Sequence, residues 1–173
     1  MHARSARIRF LLSIIGLPII IGVVIPIWLA RSSAVTFTSP GNLGAAIVQV
    51  LGGLLLIVGA ALFGSSLYQI ATRPEETLAP WDPPRRLIVR GPYRFVRTPM
   101  ISGVIFVLFG EALGTRSTLL TVWAAAFLLV SVVYTTWLDE SQLEARFGDE
   151  YRRYLRRVPR FLPRLRPWSP ENE

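Results

Sequence analysis

The sequence predicts an all-α membrane protein with about four transmembrane helices, the last two forming a tight helical hairpin. Three observations carry this. Uncharged apolar runs recur along the 173 residues, 51% of the chain is hydrophobic while 17% is charged, and the basic residues cluster beside the apolar runs. An average soluble domain is roughly one-quarter charged, so a soluble fold of this size is not expected. The runs predict a single membrane domain with spans at about 10–30, 43–71, 100–115 and 117–138. Between and after them lie a cytoplasmic loop, 72–99, and a cytoplasmic C-terminal segment of surface helices, 139–173.

The first run, Phe10 to Ala30, has 21 residues without a charge, enough to cross a hydrocarbon core of about 30 Å. Arg4, Arg7 and Arg9 precede it. It exceeds the apolar stretch of a secretory signal, and no small-x-small cleavage site follows, so it reads as a retained span. A polar connection, Ser32 to Asn42, leads to the uncharged run Leu43 to Ala71. Gly52, Gly53, Gly59 and Gly64 in that run would permit close helix contact, although ordinary transmembrane glycine enrichment is the favoured reading.

From Thr72 to Pro99 the chain turns polar and contains APWDPPRR. Pro80, Pro83 and Pro84 forbid a helix, so this part is expected to lie extended on the membrane surface with Trp81 as an interfacial anchor. Gly114, Thr115 and Arg116 alone separate the two apolar runs that follow, which predicts the antiparallel hairpin. From Asp139 on, Leu143, Phe147, Tyr151, Tyr154 and Leu155 recur at helical steps. Gly148 followed by Asp149 predicts a break there into two short helices.

All 19 basic side chains are Arg, against 11 acids. Counted by side, Arg4 to Arg9 contribute three, Arg73 to Arg97 six and Arg146 to Arg166 eight, against Arg31 and Arg116 opposite. This places both termini and the middle loop in the cytoplasm, with a bacterial inner membrane as the expected location. The same distribution explains the high pI without nucleic acid, which is not an expected partner. With no Cys and a single His, His2, thiolate chemistry is excluded and no metal site is expected.

Two cytoplasmic segments flank the hairpin: GPYRFVRTPM at Gly91 to Met100, and DESQLEARFGDEYRRYLRRVPRFLP at Asp139 to Pro163. A hairpin returns its ends to one face, so Arg94, Arg97 and Thr98 are expected near Asp139 and Glu140. Guanidinium forks bind carboxylates, and carboxylates accept bonds from amino or hydroxyl groups, so the patch suits a cofactor carrying both charges. On composition alone, these charges would read as topology signals that balance one another.

The wording of the motifs is more specific. From Arg90 to Pro163 the chain resembles the isoprenylcysteine carboxyl methyltransferase and phospholipid methyltransferase family of integral membrane enzymes, which use S-adenosylmethionine. The family's R-H-P motif corresponds to Arg97, Thr98 and Pro99, with Thr in place of His, and its following Tyr is Ile101. Its acidic pair corresponds to Asp139 and Glu140, and Gly148, Glu150, Tyr151, Tyr154, Pro159 and Arg160 match unchanged. The resemblance implies cofactor contacts from Tyr93, Arg97, Thr98, Pro99, Met100 and Gly103, and from Asp139, Glu140, Tyr151, Tyr154 and Arg160. Arg94 and Arg97 are the implied catalytic pair. For the tyrosines, packing into a core is an equally good reading, and Pro99 also reads as a simple helix start.

The expected reaction is methyl transfer from S-adenosylmethionine to a lipophilic, membrane-embedded acceptor. A Thr hydroxyl cannot accept a proton as an imidazole does, which tilts the expectation toward carboxyl O-methylation over lipid amine N-methylation. The alternative is a non-catalytic membrane protein that keeps the fold and binds a lipid or partner; a small transporter ranks last. Glu111, the one acid within an apolar run, reads as structural, with water or Arg116 as its expected partner.

Overall fold

A short polar residue or a proline sets where helices start, and the apolar runs set how far they continue. The computed structural model describes residues 16–32, 40–72 and 89–169, and its regular elements are all helical. The readings placed on Arg4 to Arg9, on Trp81 and on the proline-rich stretch lie outside these residues. Helix α1 spans Gly16–Ser32. It widens to a π-helical stretch over Ile20–Val24, just before Pro26, which has no N–H to return to the carbonyl of Gly22. Helix α2, Leu43–Thr72, is capped by Asn42, whose Oδ1 accepts the Ala45 N–H at 2.8 Å.

Helix α3 runs Pro99–Thr115 and begins on proline, whose missing N–H the helix could not have used there. It closes in a Schellman arrangement. Arg116 adopts φ 54°, its N–H reaches Leu113 O at 3.3 Å, and the Ser117 N–H reaches Ala112 O at 3.3 Å. Ser117 then caps α4, Thr118–Tyr134, by accepting the Leu120 N–H at 3.4 Å. The connection is therefore Arg116 and Ser117, shorter than the three residues expected, because Gly114 and Thr115 stay helical and Thr115 Oγ1 bonds back to Glu111 O at 2.7 Å.

Past Tyr134 the helix widens over Thr135–Asp139 and continues as α5, Glu140–Arg157, in which Gly148 at φ 53° and ψ −125° breaks the run. The expected break is found at the expected glycine, and only glycine takes that backbone conformation cheaply.

Among the described residues, two stretches are long and apolar enough to cross a membrane, Leu43–Gln69 with 27 residues and Thr118–Trp137 with 20; Gly16–Ser32 and Pro99–Thr115 are apolar but shorter. Trp28, Ile57, Leu129 and Val130 stand out among the large side chains these helices leave uncovered. Uncovered apolar surface on this scale is rare on soluble monomers and matches a lipid surround.

The chain divides into two compact units, Met1–Ile57 with Val104–Ala125, and Val58–Gly103 with Ala126–Glu173. In the first, a Cβ on Gly52 would lie 2.9 Å from both Gly110 O and Gly114 N, and one on Gly110 would lie 2.8 Å from Gly52 O. Trp123 Nε1 donates to Ile21 O at 3.2 Å, and Glu111 Oε2 is buried without a hydrogen-bond partner. In the second unit, a Cβ on Gly103 would lie 2.8 Å from Gly59 O and 2.9 Å from Phe63 N. Gly52 and Gly59 are thus close-contact residues, against the favoured reading. A Cβ added to Gly53 or Gly64 would meet nothing within 4 Å, so these two conform to it.

The second unit also holds a small core in which Tyr151, Tyr154 and Val158 are buried, with Val89, Leu143, Phe147, Leu155 and Trp168 packed against them. Tyr154 Oη donates to Tyr93 O at 2.7 Å, and its ring lies 5.8 Å from that of Trp168. Burial pushes the Tyr154 phenol far above its usual range. A raised folded-state pKa gives stability that is complete below the unfolded value of 10.0 and is lost as pH rises beyond it. Tyr154→Phe is expected to lose about 1 kcal/mol at neutral pH by removing the hydrogen bond to the Tyr93 carbonyl. Above pH 10.0 the variant should lose stability less steeply than the wild type, as unfolding midpoints across pH would show.

Candidate cofactor site

The approach to α3 begins in a 3₁₀ turn, Gly91–Arg94. Gly91 takes φ 53°, and a Cβ there would lie 2.8 Å from Gln69 Oε1. The next residues are held by the C-terminal segment, backbone to backbone. Arg97 N–H donates to Pro159 O at 3.0 Å, Thr98 N–H to Arg160 O at 3.3 Å, Arg164 N–H to Phe95 O at 3.0 Å and Trp168 N–H to Arg94 O at 3.0 Å. Arg94 Nε adds a bond to Trp168 O at 2.8 Å. The segment from Pro159 to Trp168 is therefore a strap across the residues that lead into α3.

Glu140 is the charge centre of this arrangement. Its Oε1 accepts from Arg97 Nη1 at 2.5 Å and from Arg160 Nε at 2.9 Å, and its Oε2 accepts from Arg160 Nη2 at 2.6 Å. Arg160 Nη1 also donates to Thr136 Oγ1 at 2.5 Å. The side chains of Arg97, Arg160 and Glu140 are 13%, 23% and 19% exposed. At that burial a lone guanidinium is unfavourable, and the fork geometry of Arg160 satisfies both carboxylate oxygens at once.

Arg97 meets Glu140 as expected, and Arg160, which was not expected there, joins both Glu140 and Thr98, with Pro99 buried at the head of α3. Thr98 Oγ1 donates to Arg160 O at 2.7 Å, so its hydroxyl braces the strap and does not cap the first amides of α3. Arg94 likewise braces the strap. Tyr151 and Tyr154 belong to the core, and Tyr93 meets Tyr154 through its carbonyl. Gly103 meets the backbone of Gly59 and Phe63, which by itself explains a glycine there. Met100 is half-buried in the first turn of α3. Asp139 ends the π-helical stretch, and its side chain lies outside the described set. Sequence reasoning missed Thr136, one turn before Glu140, and Trp168, which closes the strap.

Three buried donors among the described residues of the second unit have no partner: Arg97 Nε, Ser102 Oγ and Trp168 Nε1. Ser102 is fully buried and stands one turn after Thr98 in α3. A buried polar group without a partner costs about 1–3 kcal/mol, so such groups mark places where an acceptor fits.

The family model for phospholipid methyltransferase matches residues 47–150, more than half of the chain. The chain belongs to the phospholipid methyltransferase family. No curated protein and no solved structure matches it. Membership, with the apolar helices, makes this a membrane protein of a lipid-linked methyltransferase family. The phospholipid methyltransferase match takes in Arg97, Thr98, Ser102 and Glu140, while Arg160 and the strap lie beyond its end.

Proposed function

We propose that the protein is an S-adenosylmethionine-dependent methyltransferase acting on a lipophilic, membrane-embedded acceptor. In this reading four spans, the last two a hairpin, put both termini and the site on the cytoplasmic side of a bacterial inner membrane. The Arg distribution supports that orientation. The observation that carries the proposal is the Arg97–Glu140–Arg160 clasp at the head of α3, with a buried Arg97 Nε left over for a ligand.

S-adenosylmethionine, when bound, supplies an activated methyl group and a carboxylate to recognise. Arg97 Nε and Ser102 Oγ are the donors available to that carboxylate, and the N-terminal end of α3 favours negative charge beside them. Glu140 holds the Arg97 guanidinium in one orientation, Arg160 holds Glu140, and Thr98 and Arg94 hold the strap that carries Arg160. Tyr93, Met100 and Asp139 border these groups in the chain. Fixing donor and acceptor in line supplies much of the catalysis.

Carboxyl O-methylation is the favoured chemistry. Glu140 is shared by two guanidinium groups and the Thr98 hydroxyl is engaged, so no proton acceptor is free among the described side chains of the clasp. An ionised carboxylate needs none, whereas an ammonium must first lose a proton. The test is transfer of radiolabelled methyl from S-adenosylmethionine to membrane lipids and prenylated or fatty acids. Label that enters an organic phase and is released by mild alkali is expected for a methyl ester. Alkali-stable label would reverse the choice of acceptor, and no transfer despite cofactor binding would favour a non-catalytic binding protein.

A further inference from the structure

The strap does more than hold Arg160. Between Pro159 and Trp168 its backbone is bonded at residues 159, 160, 164 and 168 to residues 94–98, and Pro163 and Pro167 remove further freedom. On this pinned segment Leu162 is 69% exposed and Leu165 is 99% exposed. Single exposed leucines are ordinary on protein surfaces. Two within one turn of chain, fixed beside the point where an apolar membrane helix begins, are better explained by a nonaqueous neighbour.

The charges near them in the chain have the same character. Arg153, Arg156 and Arg166 are exposed, whereas Arg152 is bonded to Glu144 and Asp149 and Arg160 to Glu140. No acid stands between Glu150 and Glu171 in the sequence, so this stretch carries an excess of positive charge with apolar tips between. Such a surface is complementary to the phosphate layer of an acidic leaflet, where leucines reach the acyl boundary and each arginine gains from the negative surface potential.

We propose that the strap and the adjoining end of α5 are an anionic-phospholipid docking surface: Leu162 and Leu165 enter the bilayer interface, and Arg153, Arg156 and Arg166 engage acidic headgroups. The occupant is the bilayer that holds the protein. The inference rests on membrane location and is independent of the cofactor reading.

The Cys-free chain permits a direct test. Leu165→Cys carrying an environment-sensitive fluorophore is placed in nanodiscs of phosphatidylcholine alone and of phosphatidylcholine mixed with phosphatidylglycerol, and quenching by tail-brominated lipid is read. Quenching should rise at least about twofold with the anionic lipid. That rise should fade at high salt and disappear in a Leu165→Cys chain also bearing Arg153→Ala, Arg156→Ala and Arg166→Ala. A fluorophore quenched only by aqueous iodide, or equally by brominated lipid in both compositions, would overturn the proposal. Unchanged unfolding midpoints of the labelled chains show that the fold is intact, and titration with S-adenosylmethionine in the same nanodiscs tests the cofactor reading separately.

Discussion

Glu140→Ala is expected to remove cofactor binding and about 2 kcal/mol of stability together. Breaking a fully buried ion pair by deleting one partner costs about 3–5 kcal/mol, because the other charge remains buried and alone. Here two guanidinium groups lose their acceptor, but Arg97 and Arg160 are 13% and 23% exposed, so water recovers part of the loss. Glu140→Gln separates the two effects. An amide oxygen keeps one acceptor and the side-chain volume, so stability should fall by less, while the charged contact from Glu140 Oε1 that orients Arg97 is lost. Binding isotherms and chemical unfolding of both variants in nanodiscs provide the check: a Gln variant with wild-type affinity would show that Glu140 is structural only.

Gly103→Ala should destabilise the protein by about 1–3 kcal/mol, whereas Gly53→Ala and Gly64→Ala should leave it unchanged or slightly more stable. The first Cβ meets Gly59 O at 2.8 Å and Phe63 N at 2.9 Å. Those are backbone atoms of α2, which cannot rotate away as a flexible side chain would. Gly110→Ala meets Gly52 O at 2.8 Å and should behave like Gly103→Ala. Membrane helices lack a strong hydrophobic drive to associate, so close backbone approach at small residues carries much of their packing. At Gly53 and Gly64 the new methyl meets nothing within 4 Å, and alanine's better helix propensity is the only change. Titrated unfolding of the variants in mixed micelles reads the difference.

The helices were legible in the sequence because charge and proline end them: Pro99 opens α3, Arg116 closes it, and Gly148 with Asp149 breaks α5. The approach of Arg97 to Glu140 was legible as well, from the two motifs that flank the last two apolar runs, whereas the place of Arg160 beside them was not. Nor was the strap. Its bonds to residues 94–98 follow no period, and nothing in V-P-R-F-L-P announces which carbonyl meets which amide. The glycine contacts were hidden for another reason: Gly52, Gly53, Gly59 and Gly64 look alike in one apolar run, and only Gly52 and Gly59, seven residues apart, face a neighbouring helix. Tyr151 and Tyr154 suited a core or a site equally, and the hydrogen bond from Tyr154 to the Tyr93 carbonyl accounts for the second of them without a ligand.

The most direct test of the central claim is a calorimetric titration of the purified protein in nanodiscs with S-adenosylmethionine, run beside Arg97→Ala. Saturable binding by the wild type, weakened at least about tenfold in the variant, is the predicted result, since a lost charge-assisted bond is worth about 1.5–3 kcal/mol. A folded wild type that binds no cofactor, or an Arg97→Ala chain that binds as tightly, would contradict it.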